Sequence, residues 1–261
     1  MTLIRHELKQ GWKSLTIWTL GIGFFVVICV LMYPEMKGEM EDVSEMFSSM
    51  GAFTAAFGMD RLNFGTLIGF YTIECGNILG IGGAFYAAII AVTALAKEEK
   101  ERTAEFLLSH PISRSRIITD KLIAVGLQLV MLNTLVYIMS VASIAAIGEE
   151  LLWKEISLLH LAYFLVQVVI ASICFGISAF TRGSGIGAGL GLAAMLYFLN
   201  IVANITEQAK GLKYITPFGF AEGADIIANV DLDWKIVFVN LVFALVGIAA
   251  AYWNYTKKDI R

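Results

Sequence analysis

The residues most apt to do chemistry are few and far apart. The three histidines, His6, His110 and His160, and the three cysteines, Cys29, Cys75 and Cys174, show no C-x-x-C and no metal-ligand spacing. Neither a zinc cluster nor a disulfide framework is expected. No Gly-Lys pair occurs anywhere, so the chain lacks the P-loop G-x-x-x-x-G-K-[ST] that cradles nucleotide phosphates. The methionines of residues 34–75 offer soft thioethers suited to copper(I). A methionine stripe on an amphipathic helix usually serves apolar packing, and packing is the reading adopted. Hydrolysis or group transfer needs positioned acids, bases or nucleophiles, and a proton-coupled carrier needs a buried carboxylate or histidine relay. The long apolar stretches contain no Asp, Glu, Lys or Arg, so an enzyme and an ion-coupled carrier are both disfavoured.

The elements that carry these side chains are set by the solvent. The 261 residues are 58% hydrophobic and 16% charged, with a mean hydropathy of +0.74. A soluble fold has to cover its core with polar surface, and roughly 25% charged residues is the ordinary usage. The composition therefore predicts a membrane protein, and the net charge of −3 argues against nucleic acid as a partner.

About 30 Å of hydrocarbon takes about 20 helical residues to cross. Six uncharged stretches qualify: Ser14–Tyr33, Gly76–Ala96, Leu122–Ile147, Leu159–Phe180, Ile186–Asn204 and Ile236–Asn254. The first is too long for a signal-peptide core and no small-x-small site directly precedes Pro34, so it reads as a retained helix. With the N-terminus inside, 13 of the 19 Lys and Arg fall on the cytoplasmic side, as orientation by basic residues requires. The expected fold is all-α and polytopic, with six transmembrane helices, both termini cytoplasmic, and interfacial helices besides.

The single transmembrane domain, residues 1–261, divides by its connections. Residues 1–13 place Leu3, Ile4, Leu8 and Trp12 near one helical face, as a helix lying in the inner interface does. Residues 34–75 form an outer loop in which Met36, Met40, Val43, Met46, Phe47 and Met50 recur at helical spacing, which predicts short helices. A second outer loop covers 206–235. Along the cytoplasmic region 97–121, Glu98, Glu101, Arg102 and Glu105 form one row, and Ala104, Leu107, Leu108 and Pro111 another. That is a short two-faced helix stopped at Pro111, with Ser113 placed to cap the helix that follows. A plain solvated hairpin accounts for the same pattern.

Glycines 183, 185, 187, 189 and 191 hold overlapping G-x-x-x-G pairs that suit close helix packing, within the chain or between copies. Asn77, Gln128, Asn133, Gln167, Asn200, Asn204 and Asn240 lie at membrane depth, where they line a route or bond across helices.

The run Glu99-Lys-Glu-Arg-Thr103-Ala-Glu105-Phe106-Leu107-Leu108-Ser-His-Pro111-Ile-Ser113-Arg114, continuing to Lys121, resembles the cytoplasmic signature of bacterial ABC transporter permeases of the ABC-2 type. Tyr214-Ile-Thr-Pro217-Phe218 and the closing Tyr255-Thr-Lys257-Lys258-Asp259-Ile260 match that family more weakly. The subgroup it is most similar to includes the permease of nitrous oxide reductase maturation. Arg102 and Asp120 stand where the family often has glycine.

The resemblance implies a non-enzymatic subunit of the cytoplasmic membrane, surrounded by lipid and working as a pair of identical permeases. Each copy would bind a separate cytoplasmic ABC ATPase, two per complex, that holds ATP and Mg. It also implies a coupling helix, with Glu99, Glu101, Thr103 and Glu105 in polar contacts, Phe106, Leu107 and Leu108 buried, and Pro111 and Arg114 closing the segment. The route or dimer interface is expected at Asn77, Gly80, Gly187, Gly191, Asn200 and Asn204. The implied function is export of a lipophilic, peptide or drug-like cargo; the alternative is a membrane scaffold or immunity protein that sequesters a peptide without turnover.

Overall fold

A computed structural model describes residues 2–97 and 112–257. The described residues are helical throughout their regular structure: α1 (Thr2–Ser49), α2 (Ala52–Ala56), α3 (Leu67–Asn77), α4 (Gly83–Ala94), α5 (Arg114–Ala146), α6 (Trp153–Phe180), α7 (Ile186–Ile205), α8 (Gly223–Asn229) and α9 (Trp234–Lys257). A π-helical turn, Ile78–Gly82, joins α3 to α4 without a break. Short 3₁₀ segments occupy Met59–Arg61, Glu207–Tyr214 and Pro217–Phe220.

Six helices are long and apolar enough to cross a membrane: Leu3–Met40, Leu67–Ala94, Arg114–Ala146, Trp153–Phe180, Ile186–Ile205 and Trp234–Lys257. Each expected span falls on one of them. The most buried are the α3–α4 helix and α6. α6 packs between α4 and α9, α1 lies along α5, and α7 leans on α4. One contiguous core runs through the bundle from Leu15 to Tyr255.

Two element boundaries differ from expectation. The expected break at Pro34 does not occur, and α1 runs on through 48 residues, about 72 Å at 1.5 Å per residue. Pro34 removes the hydrogen bond to the Val30 carbonyl. Val26, Val30, Tyr33 and Met40 nevertheless share one buried face on both sides of it, so packing carries the helix across. Tyr33 Oη donates to the Gly65 carbonyl at 2.8 Å and Lys37 Nζ meets Glu149 at 2.7 Å, which ties the extension to its neighbours. Residues 2–13 are likewise part of α1 and form no separate helix. The second expected span began at Gly76, but its helix begins at Leu67, where the Thr66 hydroxyl accepts from Gly69 N at 3.3 Å. Glu74 therefore belongs to a helix and not to a connection.

The predicted cap at Ser113 forms, its Oγ accepting from Arg116 N at 3.3 Å. Most amides at depth bond across helices. Asn133 and Gln167 join α5 to α6 at 2.6 and 3.3 Å, and Tyr86 donates to Gln128 Oε1 at 3.2 Å. His160 is buried with its Nε2 2.7 Å from Tyr71 Oη, which in turn donates to Ser140 at 2.9 Å. Cys75 Sγ points at the Val26 carbonyl, 3.9 Å away on α1, one turn from Cys29. All three cysteines are free thiols.

Candidate functional site

The residues expected to couple to an ATPase, Glu99, Glu101, Thr103, Glu105, Phe106, Leu107, Leu108 and Pro111, lie outside the described residues. The chain on either side of them is described, and it is tied to four helices. Lys97 Nζ reaches Glu7 Oε2 and Gln10 Oε1 of α1, both at 2.5 Å. Lys121 Nζ, fully buried on α5, meets Glu7 Oε1 at 2.9 Å. Just before Lys97, the Leu95 and Ala96 amides donate to Ser178 Oγ of α6 at 2.9 and 3.2 Å. Beyond the segment, Arg114 donates to the Tyr255 and Thr256 carbonyls at the end of α9, and Thr119 lies 2.7 Å from Tyr252 Oη.

Glu7 is the hub of this node. One carboxylate faces two ammonium groups, a fully buried one on α5 and one just beyond the end of α4. Ion pairs of this kind add little net stability but fix the register of the elements they join. The described residues on either side of 98–111 are thus joined to α1, α5, α6 and α9. Glu7→Ala removes the shared anion and leaves buried positive charge; a loss of about 2 kcal/mol of stability is expected, below the usual range for a broken buried pair because Lys97 keeps Gln10. Chemical unfolding of the purified protein in detergent measures it, with Lys97→Ala losing less.

At the opposite end of the bundle, four of the expected route residues come together. Asn77, Gly80, Asn200 and Asn204 line a chamber of about 50 Å³ with Tyr163, Tyr197 and Glu222. Asn200 and Asn204 stand one turn apart on α7, with Tyr197 on the same face. Asn204 Nδ2 donates to Glu222 Oε2 at 2.7 Å and Asn200 Nδ2 does so at 3.4 Å. Tyr197 Oη donates to Asn77 Oδ1 at 3.2 Å and packs edge-on against Phe218, ring centroids 5.3 Å apart. Phe218 is placed by Thr216, whose hydroxyl donates to the Leu196 carbonyl at 2.7 Å and accepts from Phe218 N.

Glu222 is 7% exposed, and outside the chamber Arg61 Nη2 stands 3.7 Å from its Oε1. Arg61 Nη1 is bonded to Asp225, which also meets Lys213 at 3.5 Å. Burial alone would lower the Arg61 pKa, but Asp225 and then Glu222 outweigh it and hold the guanidinium above its ordinary value.

Gly187 and Gly191 do not join this chamber. Both face outward on α7, where an added Cβ would meet no atom within 4 Å. The glycines of that run that pack closely are Gly185, whose Cβ would lie 3.0 Å from Val92 and 3.2 Å from Thr181, and Gly189, whose Cβ would lie 3.0 Å from Val92 and 3.2 Å from the Ala88 carbonyl. Sequence reasoning missed Glu222, Arg61, Tyr163 and Glu7. Glu222 and Arg61 looked like ordinary charges of exterior connections, and Glu7 like part of a solvated anchor. Only the i, i+4 spacing of Asn200 and Asn204 signalled a polar face.

Compared with known proteins, residues 1–260 match the family model described as ABC-2 family transporter protein. No curated protein matches the chain.

Proposed function

The chain belongs to the ABC-2 transporter family, which makes it a multi-pass membrane permease, and we propose that it is the transmembrane subunit of an ATP-driven exporter. Its cargo is lipophilic, peptide or drug-like, and the membrane it occupies is the cytoplasmic one, with both termini inside. Two copies pair, each with a separate cytoplasmic ATPase that binds ATP and Mg. The reading extends to the subgroup that includes the permease of nitrous oxide reductase maturation, which the sequence resembles.

The observation that carries this reading is the node around Glu7. An ATPase docked on residues 98–111 moves a segment whose two ends are fastened to α1, α5, α6 and α9. Closure of the ATPase pair on ATP then acts on the helices as a rigid-body switch biased by nucleotide state. Packed helices of this kind shift between discrete arrangements.

Affinity purification of the tagged protein from its native membrane tests the reading. A stoichiometric soluble subunit carrying vanadate-sensitive ATP hydrolysis is the expected result. A permease that arrives alone and inert after mild extraction would instead favour the sequestering scaffold.

A further inference from the structure

The polar chamber at the far end of the bundle has an apolar neighbour. Between α1 and the π-helical turn lies a groove of about 710 Å³, floored by Ile17, Trp18, Phe25 and Ile78 and open toward the lipid-facing surface. Asn77 and Ile81 line both the groove and the chamber, so the two spaces share one wall. The π-helical turn Ile78–Gly82 forms that junction, and such turns recur at functional sites because they re-aim side chains. Its glycines allow close approach from both sides: a Cβ on Gly80 would lie 3.2 Å from the Tyr163 ring, and one on Gly82 3.3 Å from Ile22.

We propose that chamber and groove together bind a single-chain amphiphile with a primary ammonium headgroup, the head in the chamber and the tail in the groove. The proposal rests on the exporter reading and narrows its cargo class. The chamber selects the head. Glu222 is the one charged side chain on its wall among the described residues, and it is nine-tenths buried. Asn200 Oδ1 and Asn204 Oδ1 are buried there with no hydrogen-bond partner. Asn200 Oδ1 and Asn204 Oδ1 thus await donors beside the Glu222 carboxylate, and an ammonium group carries three N–H donors and no acceptor. Buried acceptors left unpaired carry a desolvation penalty that such a head removes. The chamber volume of about 50 Å³ admits a small head and excludes a bulky one. The groove selects the tail, since its lining is almost wholly apolar and its volume falls within the range of small-molecule sites.

Trp18 in the groove wall supplies the readout. Purified protein in phosphatidylcholine nanodiscs, without nucleotide or ATPase, is titrated with terminally brominated dodecylamine, dodecanol and dodecanoic acid, and quenching of tryptophan fluorescence is followed. Saturable quenching by the amine is expected, about tenfold tighter than by the alcohol, as a charge-assisted hydrogen bond provides. Trp18→Phe should remove that saturable component. Glu222→Gln keeps the shape and should bring amine and alcohol within about twofold of each other. Gly21→Leu fills the groove from a position where a Cβ meets no atom within 4 Å, so it tests the tail site without disturbing the packing. It should weaken amine quenching at least about fivefold.

Equal quenching by amine, alcohol and acid would overturn the proposal and leave the groove a place for bulk lipid. So would an amine preference that survives both Glu222→Gln and Gly21→Leu. Because no ATPase takes part, such a failure leaves the permease reading standing. Failure to recover an ATPase, conversely, says nothing about amine binding.

Discussion

Gly247→Leu is expected to leave no monodisperse folded protein after detergent extraction, and Gly176→Leu should do the same. These two glycines bring the backbones of α6 and α9 together. A Cβ on Gly176 would lie 2.6 Å from the Gly247 carbonyl oxygen, and a Cβ on Gly247 would lie 2.6 Å from the Ser172 oxygen and 2.9 Å from Ile173 Cα. The obstructing atoms are main chain, so no side chain can rotate away and the helices must separate. Separation would undo one of the most extensive helix contacts in the bundle. Overpacking a core costs about 1 to 3 kcal/mol even where side chains can adjust. Against backbone on both sides we expect about 3 kcal/mol or more, a large part of a typical stability of about 5 to 15 kcal/mol. Size-exclusion profiles and thermal unfolding report the loss. Gly191→Leu is the matched control: its Cβ faces open space, and its unfolding midpoint should stay near that of the unchanged protein.

Glu105→Arg is expected to abolish recovery of the ATPase while the permease still inserts. Glu105 lies in the two-faced stretch between Lys97 and Arg114, and the resemblance assigns it to a polar contact with the partner. Removing one member of a buried, hydrogen-bonded charge pair at an interface costs about 2 to 5 kcal/mol. Reversing the sign adds repulsion, so affinity should fall by roughly a hundredfold or more. Co-purification of the partner, normalised to permease in the membrane fraction, measures the effect. Unchanged recovery would remove the docking role from this segment. Glu7→Ala separates docking from transmission: it leaves residues 98–111 intact and loosens the joint behind them. The ATPase should still be recovered, while cargo no longer alters its hydrolysis.

Much of the architecture was legible from local sequence. Six uncharged stretches of bilayer length specify six spanning helices, because a charged residue at mid-membrane costs about 2.5 to 3.5 kcal/mol and the chain avoids that cost. Ser113 specifies its own cap because the interaction closes within three residues. The polar amides were visible as residues too costly to leave unpaired in an apolar medium. Asn77, Asn200 and Asn204 line one chamber, and Gly80 lies on the same wall.

What the tertiary structure decided depends on distances between residues far apart in the chain. The Gly183–Gly191 run carried the sequence signal for close packing, yet Gly187 and Gly191 face outward, and it is Gly176 and Gly247 that bring the backbones of α6 and α9 against each other. A glycine shows only what it permits; the partner backbone determines whether that freedom is used. Pro34 looked like a terminus until the shared buried face of Val30, Tyr33 and Met40 outweighed one lost hydrogen bond. Glu222 and Glu7 looked like solvated charges, because nothing in their neighbouring sequence reveals the asparagines of α7 or the lysines at Lys97 and Lys121 that enclose them. Length and hydropathy are summed along the chain, so the sequence alone determines that this protein crosses a membrane six times. Burial and charge pairing are set by which helices meet, so only the folded bundle determines where it can hold a ligand and how it can pass on a push.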